Sequence, residues 1–340
     1  MIVRSTAALL LCLAAGAAAL SGAHRAAAQA RAICYNCPPE WADWGSQLKA
    51  IAAQLGISVP ADNKNSGQAI AALIAEKANP VADVTYLGGI AADPAKDAGV
   101  LAAYKPVGWD KIPAALKDPD GYWFTIHSGT LGLFVNKTAL AGKPVPQSWA
   151  DLLKAEYKGL VGYLDPTSAA VGQLAVMAVN LALGGTYENL DAGIAYFKQL
   201  SRNQPIVPKQ TSYARVLSGE IPILFDYDFN AYRAKYTEKG QFEFVIPCEG
   251  SVVFPYVVSL VKGAPDKAKA EKVLDYLLSD KGQTIWTNAY LRPARPIPLP
   301  DAVKSKFLPD GDYARARTVD WAEMESAQKA FTDRYLAEVH

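Results

Sequence analysis

The sequence predicts an α/β chain, because short apolar runs suited to strands alternate along it with segments whose apolar residues recur at helical spacing. Its 340 residues, 51% hydrophobic and 20% charged, supply a sizeable core and exclude disorder. That length suggests about two domains. Thirty-four Lys and Arg balance 33 Asp and Glu, so no cationic surplus exists to neutralise a phosphate backbone, and nucleic acid is not an expected partner.

Residues 1–30 stand apart from this pattern. Arg4 precedes an apolar run from Ala7 to Leu20, and Ala28-Gln29-Ala30 has the small-x-small form of a signal-peptidase site, which predicts export with cleavage after Ala30. The apolar run is about fourteen residues, short of the roughly twenty a membrane helix needs, and no later stretch reaches that length. Cys12 follows Leu11 rather than a small residue, so no lipid anchor is expected.

In the remaining chain, Arg31 to Tyr35 reads as a first strand, followed by a helix whose buried face is Trp41, Trp44, Leu48, Ile51, Ala52 and Leu55 and which stops at Gly56. Asn65 or Ser66 suits the cap of a second helix, with Ile70, Leu73 and Ile74 inward. Val84 to Leu87 is a strand ending at Gly88-Gly89, and Thr130 to Val135 is another. Ser148-Trp149-Ala150-Asp151 has the form of a capping box opening a helix. The strand Leu160 to Leu164 runs into Asp165-Pro166-Thr167-Ser168 and an apolar helix around Leu174 to Leu183. Strands follow at Ile221 to Phe225, Phe242 to Ile246 and Ser251 to Val261. Two helices come next, one with Pro265 in its first turn and one capped by Ser279.

Ligands of open α/β sheets bind beyond the carboxyl ends of strands, where helix N-termini offer free N–H groups. That rule selects Cys34 to Trp41, Asn63 to Gly67, Tyr86 to Gly89, Ser128 to Thr130, Asp165 to Ser168, Asp226 to Asn230 and Cys248 to Ser251. These loops are rich in Tyr, Asn, Thr, Ser and Asp but hold no evident pair of nucleophile and base, which suits holding a polar solute better than transforming it. No enzyme activity and no cofactor are expected. Export also makes Cys34, Cys37 and Cys248 disulfide candidates before metal ligands. Either Cys34 pairs with Cys37 or one of them pairs with Cys248.

Three segments carry a family resemblance: "VPQSWADLLKAEYKGLVGYLDPTSAAVGQ" (Val145 to Gln173), "YARVLSGEIPILFDYDFNAYR" (Tyr213 to Arg233) and "KAEKVLDYLLSDKGQTIWTNAYLRPARP" (Lys269 to Pro296). In order and spacing the chain resembles a type 2 periplasmic solute-binding protein of an ABC importer, in the ferric, phosphonate and polyamine branch. The resemblance implies a two-lobed periplasmic-binding-protein-like fold joined by hinge strands, crossing near Leu131 to Asn136 and near Ile246 to Phe254. Residues 31–130 plus 251–340 would form one lobe, with C-terminal helices free to cross over, and 131–250 the other. It also implies a periplasmic monomer that captures a small-molecule ligand and delivers it to a membrane permease.

Carried onto this sequence, the family's anion-holding turn falls on Thr167 and Ser168, and Asn65 and Ser66 offer the same chemistry in the first lobe. Tyr35, Tyr86, Ser128 and Thr130 are further candidates. Asp226, Tyr227, Asp228 and Glu249 supply acidic and phenolic groups, but the adjacent tyrosines of ferric-binding relatives are missing, since Tyr227 is followed by Asp228. The mixture of signs favours an organic anion, a phosphorylated compound or a zwitterion. Ferric ion or a polyamine, gripped by the aspartates with aromatic faces beside them, is the alternative within the fold. An exported thiol-redox enzyme using Cys34 and Cys37 is the alternative of another class.

Overall fold

Two sheets built from the apolar runs share a single strand. The computed structural model describes residues 30–39, 41–209 and 212–339; the signal sequence lies outside them, with only Ala30 of the cleavage motif described. In chain order the first elements are β1 (Ala30–Arg31), β2 (Cys34–Tyr35), α1 (Trp44–Leu55), β3 (Ile57–Ser58), α2 (Ser66–Ala75), β4 (Val84–Gly88), α3 (Ala92–Asp97), β5 (Leu101–Ala102) and β6 (Phe124–Asn136). The middle comprises β7 (Val161–Gly162), α4 (Ala170–Ala182), α5 (Asp191–Leu200), α6 (Tyr213–Leu217), β8 (Ile223–Tyr227), α7 (Asp228–Tyr232) and β9 (Phe242–Val245). The remainder is β10 (Ser251–Val261), α8 (Lys267–Leu278), α9 (Asp280–Trp286), β11 (Arg292–Pro293), α10 (Asp301–Lys304), α11 (Asp310–Tyr313), β12 (Ala316–Thr318) and α12 (Trp321–Glu338).

The shared strand is β6, which is buried along all thirteen of its residues. Its first half, Phe124 to Thr130, pairs antiparallel with β10, which also carries β4, β5 and β12; β2 lies parallel beside β4. Its second half, Leu131 to Asn136, pairs with β8 and β9, and β7 lies parallel beside β8. One sheet therefore ends, and the other begins, between Thr130 and Leu131. Helices α1, α2, α8 and α9 cover the first sheet, α4 packs against α5, and α12 returns to α5, where the Tyr335 and Tyr163 hydroxyls meet at 2.7 Å.

Local chemistry explains several helix ends. Gly56 closes α1 in the left-handed region at φ 67°, where only glycine is unstrained. Asn65 accepts from the Gln68 N–H while Gln68 reaches back to the Asn65 N–H, a full capping box on α2. Ser279 caps α9.

Other elements differ from the sequence reading. The first strand divides into β1 and β2. Helix α1 starts at Trp44, so Trp41 sits in the turn before it. On α2 the inward stripe falls on Ala69 and Leu73, leaving Ile74 49% exposed. The box at Ser148 and Asp151 forms, with Asp151 N–H donating to Ser148 Oγ at 2.9 Å, but it opens a 3₁₀ turn over Ala150–Leu153 rather than an α-helix. Pro265 precedes α8, whose cap is Asp266. The strand expected from Thr130 begins six residues earlier, at Phe124.

Candidate functional site

The cavity that opens where the two sheets meet has a volume of about 530 Å³. From the first-sheet side it is lined by Trp41, by Asn65, Ser66 and Gly67 at the start of α2, by Gly88, and by Phe254 and Tyr256 of β10. From the second-sheet side come Val171 in the first turn of α4, Asp226 and Tyr227 at the end of β8, and Asn230. A helix N-terminus leaves its first N–H groups without intrahelical acceptors and carries a partial positive charge. Asn65 takes the Gln68 N–H at 2.9 Å, which leaves the N–H groups of Ser66 and Gly67, two residues of the cavity lining, without that acceptor. Ser66 Oγ is held from behind by the Gly88 N–H at 3.0 Å.

The carboxylate of this cavity is Asp226. It is 6% exposed, accepts from its neighbour Tyr227 N–H at 2.8 Å and from Asn230 Nδ2 at 3.0 Å, and burial pushes its pKa up to about 6 against those two hydrogen bonds. Tyr227 and Tyr256 flank it as neutral phenols. Burial, more than any neighbouring charge, raises both phenol pKa values well above the ordinary one.

Several other sequence candidates have different surroundings. Asp228 is fully buried and is not part of the cavity lining; its Oδ1 accepts from the Thr130 and Phe229 N–H groups at 2.9 Å each, and Oδ2 from the Tyr313 hydroxyl at 3.3 Å. It is a clamp on the point where β6 changes sheets. Glu249 accepts from the Trp149 and Ala150 N–H groups at 3.0 and 3.1 Å and caps the 3₁₀ turn. Thr167 spends both its N–H and its hydroxyl on Asp165 Oδ1; Ser168 is exposed, and α4 begins two residues later. Tyr35 donates to Glu76 at 2.9 Å under the Lys64 ammonium. Tyr86 lies behind Trp41, taking its indole N–H at 3.1 Å and meeting His127 Nε2 at 3.0 Å. His127 is buried, which drives its pKa down to about 3 and keeps it neutral. Ser128 lines a different, proline-rich cavity behind β6 together with Arg292.

The sequence places Trp41 and Asn230 at the ends of two selected loops without naming either as a ligand contact, and it misses Phe254 and Tyr256. Phe254 and Tyr256 were findable: they are two residues apart on a strand, hence on one face, and both look into the cavity.

A two-sheet architecture pivoting on one strand, with helix N-termini and a buried acid converging on its cleft, is the geometry of ligand capture between lobes. The family model of bacterial extracellular solute-binding proteins matches residues 79–327. The chain belongs to that family.

Among relatives of this solute-binding protein, a Salmonella typhimurium protein assigned as 2-aminoethylphosphonate-binding and periplasmic is 27% identical over 294 residues, 84% of this chain and 82% of that one. Solved structures with the same fold include the periplasmic binding protein AfuA from Actinobacillus pleuropneumoniae with fructose-6-phosphate bound (TM-score 0.70, 24% identity, 92% and 99% of the two chains). Iron-bound HitA from Pseudomonas aeruginosa also matches (TM-score 0.72, 20% identity, 90% and 98%). The fold is thus that of the two-lobed, type 2 ABC binding proteins, and the family implies a small-molecule ligand and an ABC permease. No helix among the described residues is long and apolar enough to cross a membrane.

In this binding protein Cys34 and Cys37 form a disulfide, while Cys248 is free and exposed. Both bridged residues are buried, at 2% and 0% exposure. Thiol–disulfide exchange needs an accessible sulfur, so the bridge stiffens the loop leading to Trp41 and does not serve the redox reading, which the family assignment leaves without support.

Proposed function

We propose that the cleft captures a small zwitterion bearing an oxyanionic head and an ammonium group, of which 2-aminoethylphosphonate is the model. One observation carries the reading. A buried carboxylate at Asp226 and the open first turn of α2 line the same cavity from opposite lobes, so one ligand with two charges joins both halves. The anion faces Ser66 and Gly67 N–H groups; the ammonium faces Asp226. The relative assigned to 2-aminoethylphosphonate supports this choice.

Ferric ion is less well served. Among the described residues no three His, Cys, Asp or Glu side chains are grouped to hold a metal, and the cavity offers one carboxylate with both oxygens already accepting hydrogen bonds. In the same reading the chain is exported with cleavage after Ala30, acts as a monomer without anchor, nucleic acid or catalytic turnover, and hands its ligand to the permease. Residues 31–130 and 251–318 form the first lobe and 131–250 the second. We place α12 with the second, because it packs on α5.

Thermal-shift and calorimetric titrations of the mature protein test this with 2-aminoethylphosphonate, ethylphosphonate, ethylamine, spermidine and ferric citrate. A ligand present at a hundred times its Kd stabilises by about 2.7 kcal/mol, so the zwitterion should raise Tm by several degrees and either half-ligand far less. Binding of spermidine or iron with no response to the zwitterion would overturn the proposal.

A further inference from the structure

Five aromatic rings, four of which line the same cavity as Asp226, close into a belt. Centroid separations are 5.8 Å from Trp41 to Tyr256, 5.0 Å from Tyr256 to Phe254, 5.7 Å from Phe254 to Tyr227, 5.1 Å from Tyr227 to Phe229, and 5.6 Å from Phe229 back to Trp41. Four of the five line the cavity, and the fifth, Phe229, lines the adjoining compartment with Trp41. The rings come from three separate parts of the chain: the loop before α1, strand β10, and the segment joining β8 to α7. The belt is therefore a product of the two lobes together and exists only when they are apposed.

Two features show that the belt is held in place. The Trp41 indole is fixed by the Tyr86 hydroxyl behind it. Beneath Phe229 and Tyr227 runs Gly129 of β6, where any Cβ would stand 2.5 Å from the Phe229 ring; only glycine allows the rings to seat so low against the strand.

We infer that this belt makes the cleft selective for an alkylated ammonium, so that an N-methylated or N-trimethylated aminoalkyl phosphonate or phosphate is bound at least as well as the primary amine. The inference rests on the zwitterion reading and names the chemistry of its cationic end. A ring of the observed spacing keeps its middle within about 6 Å of each centroid, the range over which an aromatic face attracts a cation. A primary ammonium brings three N–H donors, each costly to bury without an acceptor. The belt offers few acceptors: each oxygen of Asp226 already receives a hydrogen bond, and three of the five rings carry no oxygen. A trimethylammonium has no donor to satisfy, sheds its water more easily and still gains the field of Asp226. The cavity of about 530 Å³ is in the range that holds ligands of drug size, which leaves room for three methyl groups on so small a molecule.

The test is calorimetric titration of the mature protein with 2-aminoethylphosphonate and with 2-(trimethylammonio)ethylphosphonate. The trimethyl compound is expected to bind as tightly as the primary amine or more tightly. Trp41→Leu and, separately, Phe254→Leu should weaken the trimethyl compound about tenfold more than they weaken the primary amine, with Tm recorded for each variant. If the wild-type protein binds the primary amine and takes the trimethyl compound at least tenfold more weakly, the belt inference fails and the zwitterion reading stands. Equal losses for both ligands in a folded Trp41→Leu also overturn it. If neither compound binds, both fall.

Discussion

Replacing Asp226 by Asn removes one charge from the cleft and almost no volume. At pH 7 the carboxyl, with its pKa near 6, is mainly ionised. A ligand ammonium about 4 Å away would interact with it by up to about 4 kcal/mol at an effective dielectric of 20. Desolvation of the ligand takes back part of that gain, and mutational series put hydrogen bonds to charged groups at about 1.5–3 kcal/mol. We therefore expect Asp226→Asn to weaken 2-aminoethylphosphonate by about 2 to 3 kcal/mol, roughly 30- to 150-fold, measured by calorimetry. Ethylphosphonate, which lacks the ammonium, should bind the variant as well as the wild type or better. The pH dependence follows with a definite sign. The free carboxyl holds a proton below about pH 6, and a bound cation releases it, so wild-type affinity should be full above pH 7 and fall about tenfold per unit below 6. The phosphonate titrates in the same range, but that contribution is common to both proteins and cancels in the ratio of wild type to variant. Equal losses for both ligands, or a ratio independent of pH, would refute the role given to Asp226.

Substitutions at two further positions separate clamps from contacts. Asp228 has its pKa raised to about 7, chiefly by burial, above the ordinary value of about 3.9; its contribution to stability is thus most favourable below pH 4 and is lost as pH rises through 7. Asp228→Asn keeps an acceptor for the Thr130 N–H and should be at least as stable as wild type in urea melts at pH 8, whereas Asp228→Ala strands that N–H and should cost about 1–3 kcal/mol. A strongly destabilised Asp228→Asn at pH 8 would contradict this. Glu249→Ala removes the cap on Trp149 and Ala150 and should cost about 0.5–2 kcal/mol, with 2-aminoethylphosphonate affinity unchanged within threefold; a selective loss of binding would return Glu249 to the cleft.

The parts of this protein legible in its sequence are those fixed by local chemistry. Asn65 is one of the two caps read for α2 and takes that place, Gly56 marks a helix end, and Asp226 follows the apolar run that forms most of β8. What escaped is set by tertiary register. Asp226 and Asp228 are equivalent by type and lie on either side of one tyrosine, yet only Asp226 meets the cavity. The two-residue spacing that gives Asp226 and Asp228 the same face in an extended strand is broken because α7 begins at Asp228, turning that side chain back onto Thr130. Thr167 looks like an anion-holding cap, but Asp165, two residues earlier, takes its hydrogen bonds first. Trp41 looks like the first buried residue of a helical stripe until left-handed backbone at Ala42 and Asp43 delays the helix and leaves the indole free to face the cleft.

The same clamp bears on how the lobes can move. A β-ladder resists bending where its N–H groups are paired with a neighbouring strand, because opening it exposes donors that must find new acceptors. Thr130, the last residue of β6 paired with β10, gives its N–H to the Asp228 side chain instead. Asp228 belongs to the segment that leaves β8, so this bond ties the pivot to the second lobe without adding a rung to the first sheet. The β8 and β9 rungs therefore lie on one side of the Thr130–Leu131 junction and the β10 rungs on the other. With Trp41 against Phe229 at 5.6 Å and Phe254 against Tyr227 at 5.7 Å as aromatic contacts across the cleft, a ligand that adds favourable contacts to both walls is what shifts the balance towards the closed form.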